Sequence, residues 1–266
     1  MGRDNGGGGL GASLWRLALM QIRAAAFGLL FLGGMIASAL IWQEGWPVHR
    51  YDALFLWALA IQGAMIATGG ESWQEAKVIL VFHVTGTVME LFKTAAGSWA
   101  YPEAALFRIG GVPLFTGFMY AAVGSYIARV SRLHRMRFAP YPPFWASAAL
   151  AAAIYVNFFA HHYVWDFRWV LVGLTVLLYG RTLVWADVGG WVSLRFPLAA
   201  LIAALGVYAA ENVGTLSGTW LYAGQARWEA VNISKLVSWY LLIFVAFATV
   251  TLVSRDALVR GPWRPS

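Results

Sequence analysis

The sequence contains no cysteine, which excludes disulfide bridges and thiolate metal sites while leaving the compartment open. Charge is scarce as well: only 12% of the 266 residues are Asp, Glu, Lys or Arg, against about a quarter in a soluble domain. Five histidines are too few for histidine-box diiron chemistry, and neither H-x-x-x-H nor H-E-x-x-H occurs. A metal site built from His161, His162, Glu90, Glu211 and Asp166 is not favoured, because adjacent histidines on a helix point about 100° apart. The chain has no P-loop, no G-x-S-x-G elbow and no dinucleotide fingerprint, so no cofactor is implied.

What the chain has in excess is apolar side chain. Hydrophobic residues make up 60% of it, and the mean hydropathy is +0.64. Runs long enough to cross a hydrocarbon layer of about 30 Å recur along it, which predicts an all-α, polytopic transmembrane bundle. Eight spans are expected, at about 24–42, 53–69, 76–93, 112–130, 143–160, 168–186, 196–213 and 231–253. Ala37-Ser38-Ala39 resembles a signal-peptidase site, but the first run continues to Trp42 and reads as an uncleaved span. The net charge of +7 comes from basic residues clustered between and after the runs, which sets topology and does not point to nucleic acid. With eight spans, Arg16 and Arg23, the Arg129–Arg132–Arg135–Arg137 group, Arg181 with Arg195, and Arg255, Arg260 and Arg264 share one side, expected to be cytoplasmic.

The expected organisation is a disordered cytoplasmic tail over 1–22, a four-span repeat over 23–130, a basic linker over 131–142, a second repeat over 143–254, and a cytoplasmic tail over 255–266. The repeat shows in two stretches, ELFKTAAGSWAYPE from Glu90 and ENVGTLSGTWLY from Glu211. At an offset of 121 residues, Glu90, Thr94, Gly97, Trp99 and Tyr101 match Glu211, Thr215, Gly218, Trp220 and Tyr222. Each copy follows the third span of its half, and each half closes on Val-Ser-Arg, at 130–132 and 253–255.

Charge inside a membrane is costly and asks for a partner or a purpose. Glu90 ends an apolar helix face shared with His83, Thr87 and Thr94, and Lys93 lies close enough to pair with it. Glu211 ends the seventh span, and Lys235 and Ser238 sit near the outer end of the eighth. Between the halves, NFFAHHYVWDFRW supplies His161, His162, Asp166 and Arg168 to the same outer side. The aromatics Trp99, Tyr101, Trp220 and Tyr222 serve either as interfacial anchors or as cation–π partners for a bound group.

The stretches KTAAGSWAYPE, GVPLFTGFMYAAVGSYIARVSR and IYVNFFAHHYVWDFRWVL, with Ala210-Glu211-Asn212, resemble the bacterial membrane proteins grouped as domain of unknown function family 817. The resemblance runs from about Glu71 to Arg255 and implies a bacterial inner-membrane location without an activity. A shorter stretch is similar to motifs of integral-membrane carotenoid cyclases and carotenoid hydratases, which protonate polyene double bonds. It departs from them at Ala104, where a second acid would follow Pro102-Glu103.

Three functions fit these residues. The first is an intramembrane acid–base enzyme on an isoprenoid or other lipophilic substrate. Glu90 or Glu211 would be its acid, His161 or Glu103 the proton acceptor, and Lys93, Trp99, Tyr101, His162, Asp166, Arg168, Trp220, Tyr222 and Lys235 its binding residues. The second is a proton- or ion-coupled transporter. The third is a non-catalytic scaffold. Membrane lipids are the expected partners in all three, and the sequence sets no oligomeric state.

Overall fold

The computed structural model describes residues 10–43, 45–226 and 229–265. Among them are nine helices: α1 (Leu10–Ala24), α2 (Ala26–Ile41), α3 (Arg50–Ala67), α4 (Trp73–Ala95), α5 (Phe115–Leu133), α6 (Phe144–Ala160), α7 (Arg168–Tyr179), α8 (Phe196–Leu216) and α9 (Ser234–Val253). Helices α4, α8 and α9 are long and apolar enough to cross a membrane. Residues 18–41 of α1 and α2, bent by 74°, make a fourth candidate if the pair is one span. The protein is a helical membrane protein. Helices α6 and α7 are apolar but shorter, at 17 and 12 residues.

Helices α4 and α5 approach closely because glycines face bulky side chains across their contact. Gly86 receives Tyr120, Gly124 receives Phe82, and a Cβ at Gly117 would lie 2.7 Å from the His83 carbonyl oxygen. Small residues at such crossings let backbones meet where lipid supplies no hydrophobic drive. Helix α4 starts in a capping box. The Ser72 hydroxyl accepts from the Glu75 amide, and the Glu75 carboxylate accepts from the Ser72 amide at 2.7 Å. Arg132, in the last turn of α5, then donates to Glu75 at 2.9 Å and locks the two helices at that end. The core holds two aromatic groups, one around Phe27, Phe31, Phe115 and Phe118, the other around Tyr179, Phe196, Phe244 and Phe247.

Short strands cover both ends of the bundle. At one end β4 (Arg137–Ala139), β5 (Leu183–Asp187) and β6 (Trp191–Arg195) form an antiparallel sheet in that order. At the other, β2 (Arg108–Ile109) pairs with β3 (Val112–Pro113), and β1 (Trp99–Ala100) pairs antiparallel with β7 (Leu221–Tyr222). The β1–β7 register joins Trp99 to Tyr222 and Ala100 to Leu221. Each of these two strands leaves a helix through the same turn. Gly97 and Gly218 take φ of +69° and +66°, and Ser98 and Thr219 donate back to the Lys93 and Gly214 carbonyls, closing a Schellman motif on α4 and on α8.

Four expectations change. Residues 10–22, expected in a disordered tail, lie in α1, while 1–9 are outside the described residues. That segment is rich in Leu and Ala, good helix formers, and it is tied down where Tyr126 donates to Gln21 and Arg129 to the Arg23 carbonyl. The expected span 168–186 is helix only to Tyr179. From Leu183 its β-branched and aromatic residues turn at Asp187–Gly190 into the β5–β6 hairpin. The linker 131–142 contains β4. The tail after Arg255 folds back, with Leu258 bridging Phe138 and Trp263 against Trp185 and Trp191.

Candidate functional site

Both glutamates are buried, 1% and 5% exposed, and each is held by neutral donors only. Glu90 Oε2 accepts from the Trp99 indole at 2.7 Å and the Tyr101 hydroxyl at 2.6 Å, and its Oε1 accepts from Tyr120 at 2.7 Å. Glu211 Oε1 accepts from Tyr222, and its Oε2 accepts from the Trp239 indole at 2.5 Å. The local fold explains the match. After the Schellman turn the chain doubles back over the last helical turn, so the tyrosine eleven residues beyond each glutamate returns to it. The helix that follows, α5 or α9, adds a further donor, Tyr120 or Trp239.

The two halves differ in detail. Trp99 bonds Glu90, whereas its sequence counterpart Trp220 turns its ring onto Gly214, at the position Lys93 occupies in the first half. Trp99 and Tyr222 meet edge to face across the strand pair, with centroids 5.7 Å apart. Arg50 clamps this end. It makes a two-pronged pair with Glu103, at 2.9 and 2.8 Å, and donates to the Ser217 and Gly218 carbonyls at the end of α8.

Lys93, 2% exposed, does not pair with Glu90. Its ammonium donates to the Phe158 carbonyl at 2.5 Å, contacts His162 Nε2 at 2.9 Å and lies 4.1 Å from the centroid of the Phe158 ring. Lys235 places its ammonium 4.2 Å from the centroid of the Tyr222 ring. Arg168 uses Nε on Asp166, at 2.5 Å, and Asp166 also accepts from Asn157. The His161 and His162 rings lie 4.2 Å apart, with His161 Nδ1 at the Asn157 carbonyl. Partial burial and then the Lys93 charge push both imidazoles below the ordinary histidine range. Burial raises Asp166, but its bonds from Asn157 and Arg168 outweigh that and hold it below the usual carboxylate range.

A cavity of about 630 Å³ joins these groups, and eleven of the thirteen expected site residues line it: Glu90, Lys93, Trp99, Tyr101, His161, His162, Arg168, Glu211, Trp220, Tyr222 and Lys235. Its volume lies in the range of small-ligand sites, about 300–1,000 Å³. Below this polar end the walls of α2, α5 and α8 are apolar, until Gln21 and Tyr126 are reached at the far end. Leu29 of α2 and Ile202 of α8, both lining the cavity, are 47% and 55% exposed and frame an opening on the side of the bundle.

Asp166 and Glu103 are not on the cavity wall. Glu103, expected as a proton acceptor, is instead the Arg50 counter-ion. Tyr120 and Trp239 were missed by sequence reasoning. The signal available was a hydrogen-bonding aromatic within each apolar run that follows a glutamate. Among the described residues, no group of three or more His, Asp or Glu is placed to hold a metal ion.

The model of a family described as protein of unknown function, DUF817, matches residues 13–247. The chain belongs to the DUF817 family. A relative is the uncharacterized protein YoaT of Bacillus subtilis (strain 168), 42% identical over 204 residues, which covers 76% of this DUF817 chain and 77% of YoaT. Among solved structures, an Insig homolog from Mycobacterium vanbaalenii (MvINS) is similar over 70% of this chain and 97% of its own, with 12% identity and a TM-score of 0.47. A cross-linked trimer of MvINS gives a TM-score of 0.46 at the same identity and coverage.

Proposed function

We propose that this DUF817 member is an intramembrane acid–base enzyme acting on a lipophilic substrate held in the cavity. The observation that carries the reading is the placement of two buried carboxyl groups, ringed by neutral donors, at the polar end of a cavity with an apolar middle and a side opening. An ion or proton path would need polar groups along its length, and the middle of the cavity has an apolar wall. Lone-pair use divides the roles. Glu90 takes three donors and is close to saturated, whereas Glu211 takes two and keeps room for a substrate proton. Glu211 therefore exchanges the proton with the substrate, Tyr222 and Trp239 hold its carboxyl in place, and Glu90 positions the aromatic cage.

Eight spans in two parallel four-span halves, inserted in a bacterial cytoplasmic membrane with residues 1–22 and 255–266 inside, complete the proposal. The twin Schellman ends support it, as does the β1–β7 register. With an offset of 121, pairing Ala100 with Leu221 pairs a residue with its own counterpart, as a local two-fold axis requires. The arginine-rich links lie at the end that carries β4–β6, as the positive-inside rule asks. The test is to purify wild type and the Glu90→Gln/Glu211→Gln double variant in mild detergent and compare their organic extracts by mass spectrometry. A lipophile held by one form, or converted by wild type alone, is expected. Identical extracts holding bulk phospholipid only would sink the proposal.

A further inference from the structure

The cavity's polar end has two layers. Lys93 sits one helical turn beyond Glu90, toward the end of α4, and Lys235 sits one turn before Trp239, the donor to Glu211, toward the start of α9. At about 1.5 Å per residue, the backbone positions of the two lysines lie roughly 5 Å closer to the bundle end than those of Glu90 and Trp239. Neither lysine has a carboxylate ion-pair partner among the described residues. Lys93 is nearly fully buried, and its contacts are a carbonyl, an imidazole and a phenyl ring, none of which cancels its charge. Arg168, on the same cavity wall, spends only Nε on Asp166 and leaves both terminal nitrogens without a partner among the described residues. A buried cation without a counter-ion is expensive unless a ligand supplies the missing charge.

From this we infer that Lys93, Lys235 and Arg168 form an anion subsite, and that the cavity's ligand is an amphiphile with a phosphate-like headgroup. The inference rests on the reading of the cavity as a lipophile site and adds the headgroup. The headgroup occupies the ammonium layer, the chain runs down the apolar walls of α2, α5 and α8, and the first carbons after the headgroup lie level with Glu211. The loop after α6 and the first turn of α7 place Tyr163, Trp165 and Trp169 outward, 75%, 85% and 69% exposed, as side chains at headgroup depth in a bilayer would be. Charge-assisted bonds from three cations set the preference for a phosphate over a hydroxyl.

The test uses the full chain in a neutral detergent and measures affinity, by tryptophan quenching or thermal shift, for dodecyl phosphate, dodecanol and inorganic phosphate. Dodecyl phosphate is expected to bind at least about tenfold more tightly than dodecanol. Lys93→Gln and Lys235→Gln should each shrink that ratio, while Arg260→Gln at the opposite end leaves it unchanged. If Lys93→Gln does not fold, Lys235→Gln and Arg168→Gln carry the same test from side chains that are less buried. Equal binding of dodecyl phosphate and dodecanol would overturn the headgroup assignment and spare the lipophile reading. Failure of both to bind would overturn the lipophile reading itself. Inorganic phosphate binding as tightly as dodecyl phosphate would overturn the amphiphile and assign the subsite to a free anion.

Discussion

Removing the Glu90 carboxyl should cost more stability than removing its twin. Glu90→Ala leaves three donors, on Trp99, Tyr101 and Tyr120, without an acceptor, and Glu211→Ala leaves two, on Tyr222 and Trp239. Each stranded buried donor costs about 1–3 kcal/mol, and water admitted through the cavity recovers part of this. A net loss of about 3–5 kcal/mol is expected for Glu90→Ala, and about two-thirds of that for Glu211→Ala. Glu90→Gln is milder. Its amide oxygen can keep Trp99 and Tyr101 while its NH2 donates to the Tyr120 oxygen, so one donor, the Tyr120 O–H, loses its acceptor along with the charge assistance, about 1–2 kcal/mol. At about 2–4 °C per kcal/mol for a chain of this size, these figures separate in a thermal melt followed by size-exclusion fluorescence in detergent. The expected order of loss is Glu90→Ala, then Glu211→Ala, then Glu90→Gln. Glu90→Ala melting no lower than Glu211→Ala, or no lower than Glu90→Gln, would refute the donor accounting.

Gly117→Val should abolish folded protein, seen as loss of a monodisperse chromatographic peak, because its Cβ would meet the His83 carbonyl and force α4 from α5. Arg50→Met should destabilise by about 2–4 kcal/mol in the same melt, and Arg50→Lys by less but measurably, since lysine lacks the fork that binds Glu103 while reaching the end of α8. For His162, whose folded pKa is lowered, there is no cost above about pH 6.5, where the ring is neutral both folded and unfolded. As pH falls from there toward the lowered folded value, the unfolded chain takes up the proton first and stability drops. A melt series from neutral to acid pH should therefore show a smaller loss in His162→Gln than in wild type, and equal losses would contradict the assignment.

Local pattern and composition decided a good deal. Apolar runs marked the helices from α2 to α9, and the twin Glu-to-Tyr stretches marked the residues that frame the cavity. The reason is physical: a helix buried in lipid needs a long apolar face, and a carboxyl at its end needs donors nearby in the chain, which a Gly turn and a following tyrosine supply. Residues 183–186 misled because mean hydropathy does not separate a buried helix from one strand of a hairpin, and alternation with the Gly-Gly turn that follows had to decide. Residues 10–22 read as part of a disordered tail, although α5, more than a hundred positions away, ties their helix down at Gln21 and the Arg23 carbonyl.

Partnership was beyond the sequence. Spacing alone paired Lys93 with Glu90, three residues on, yet the structure turns the ammonium to Phe158 and His162 and gives Glu90 to three aromatic donors. Glu103 looked like a proton acceptor until Arg50, fifty-three positions earlier, claimed it. Most of the polar residues on the cavity wall were legible in composition and motif, because burying charge in oil is costly wherever it occurs, but Tyr120 and Trp239 were not, and Glu103 and Asp166 lie off it. Which donor meets which acceptor, and which lysine faces an open cavity, depend on the crossing of α4 with α5 and of α8 with α9. Only the packed helices decide that.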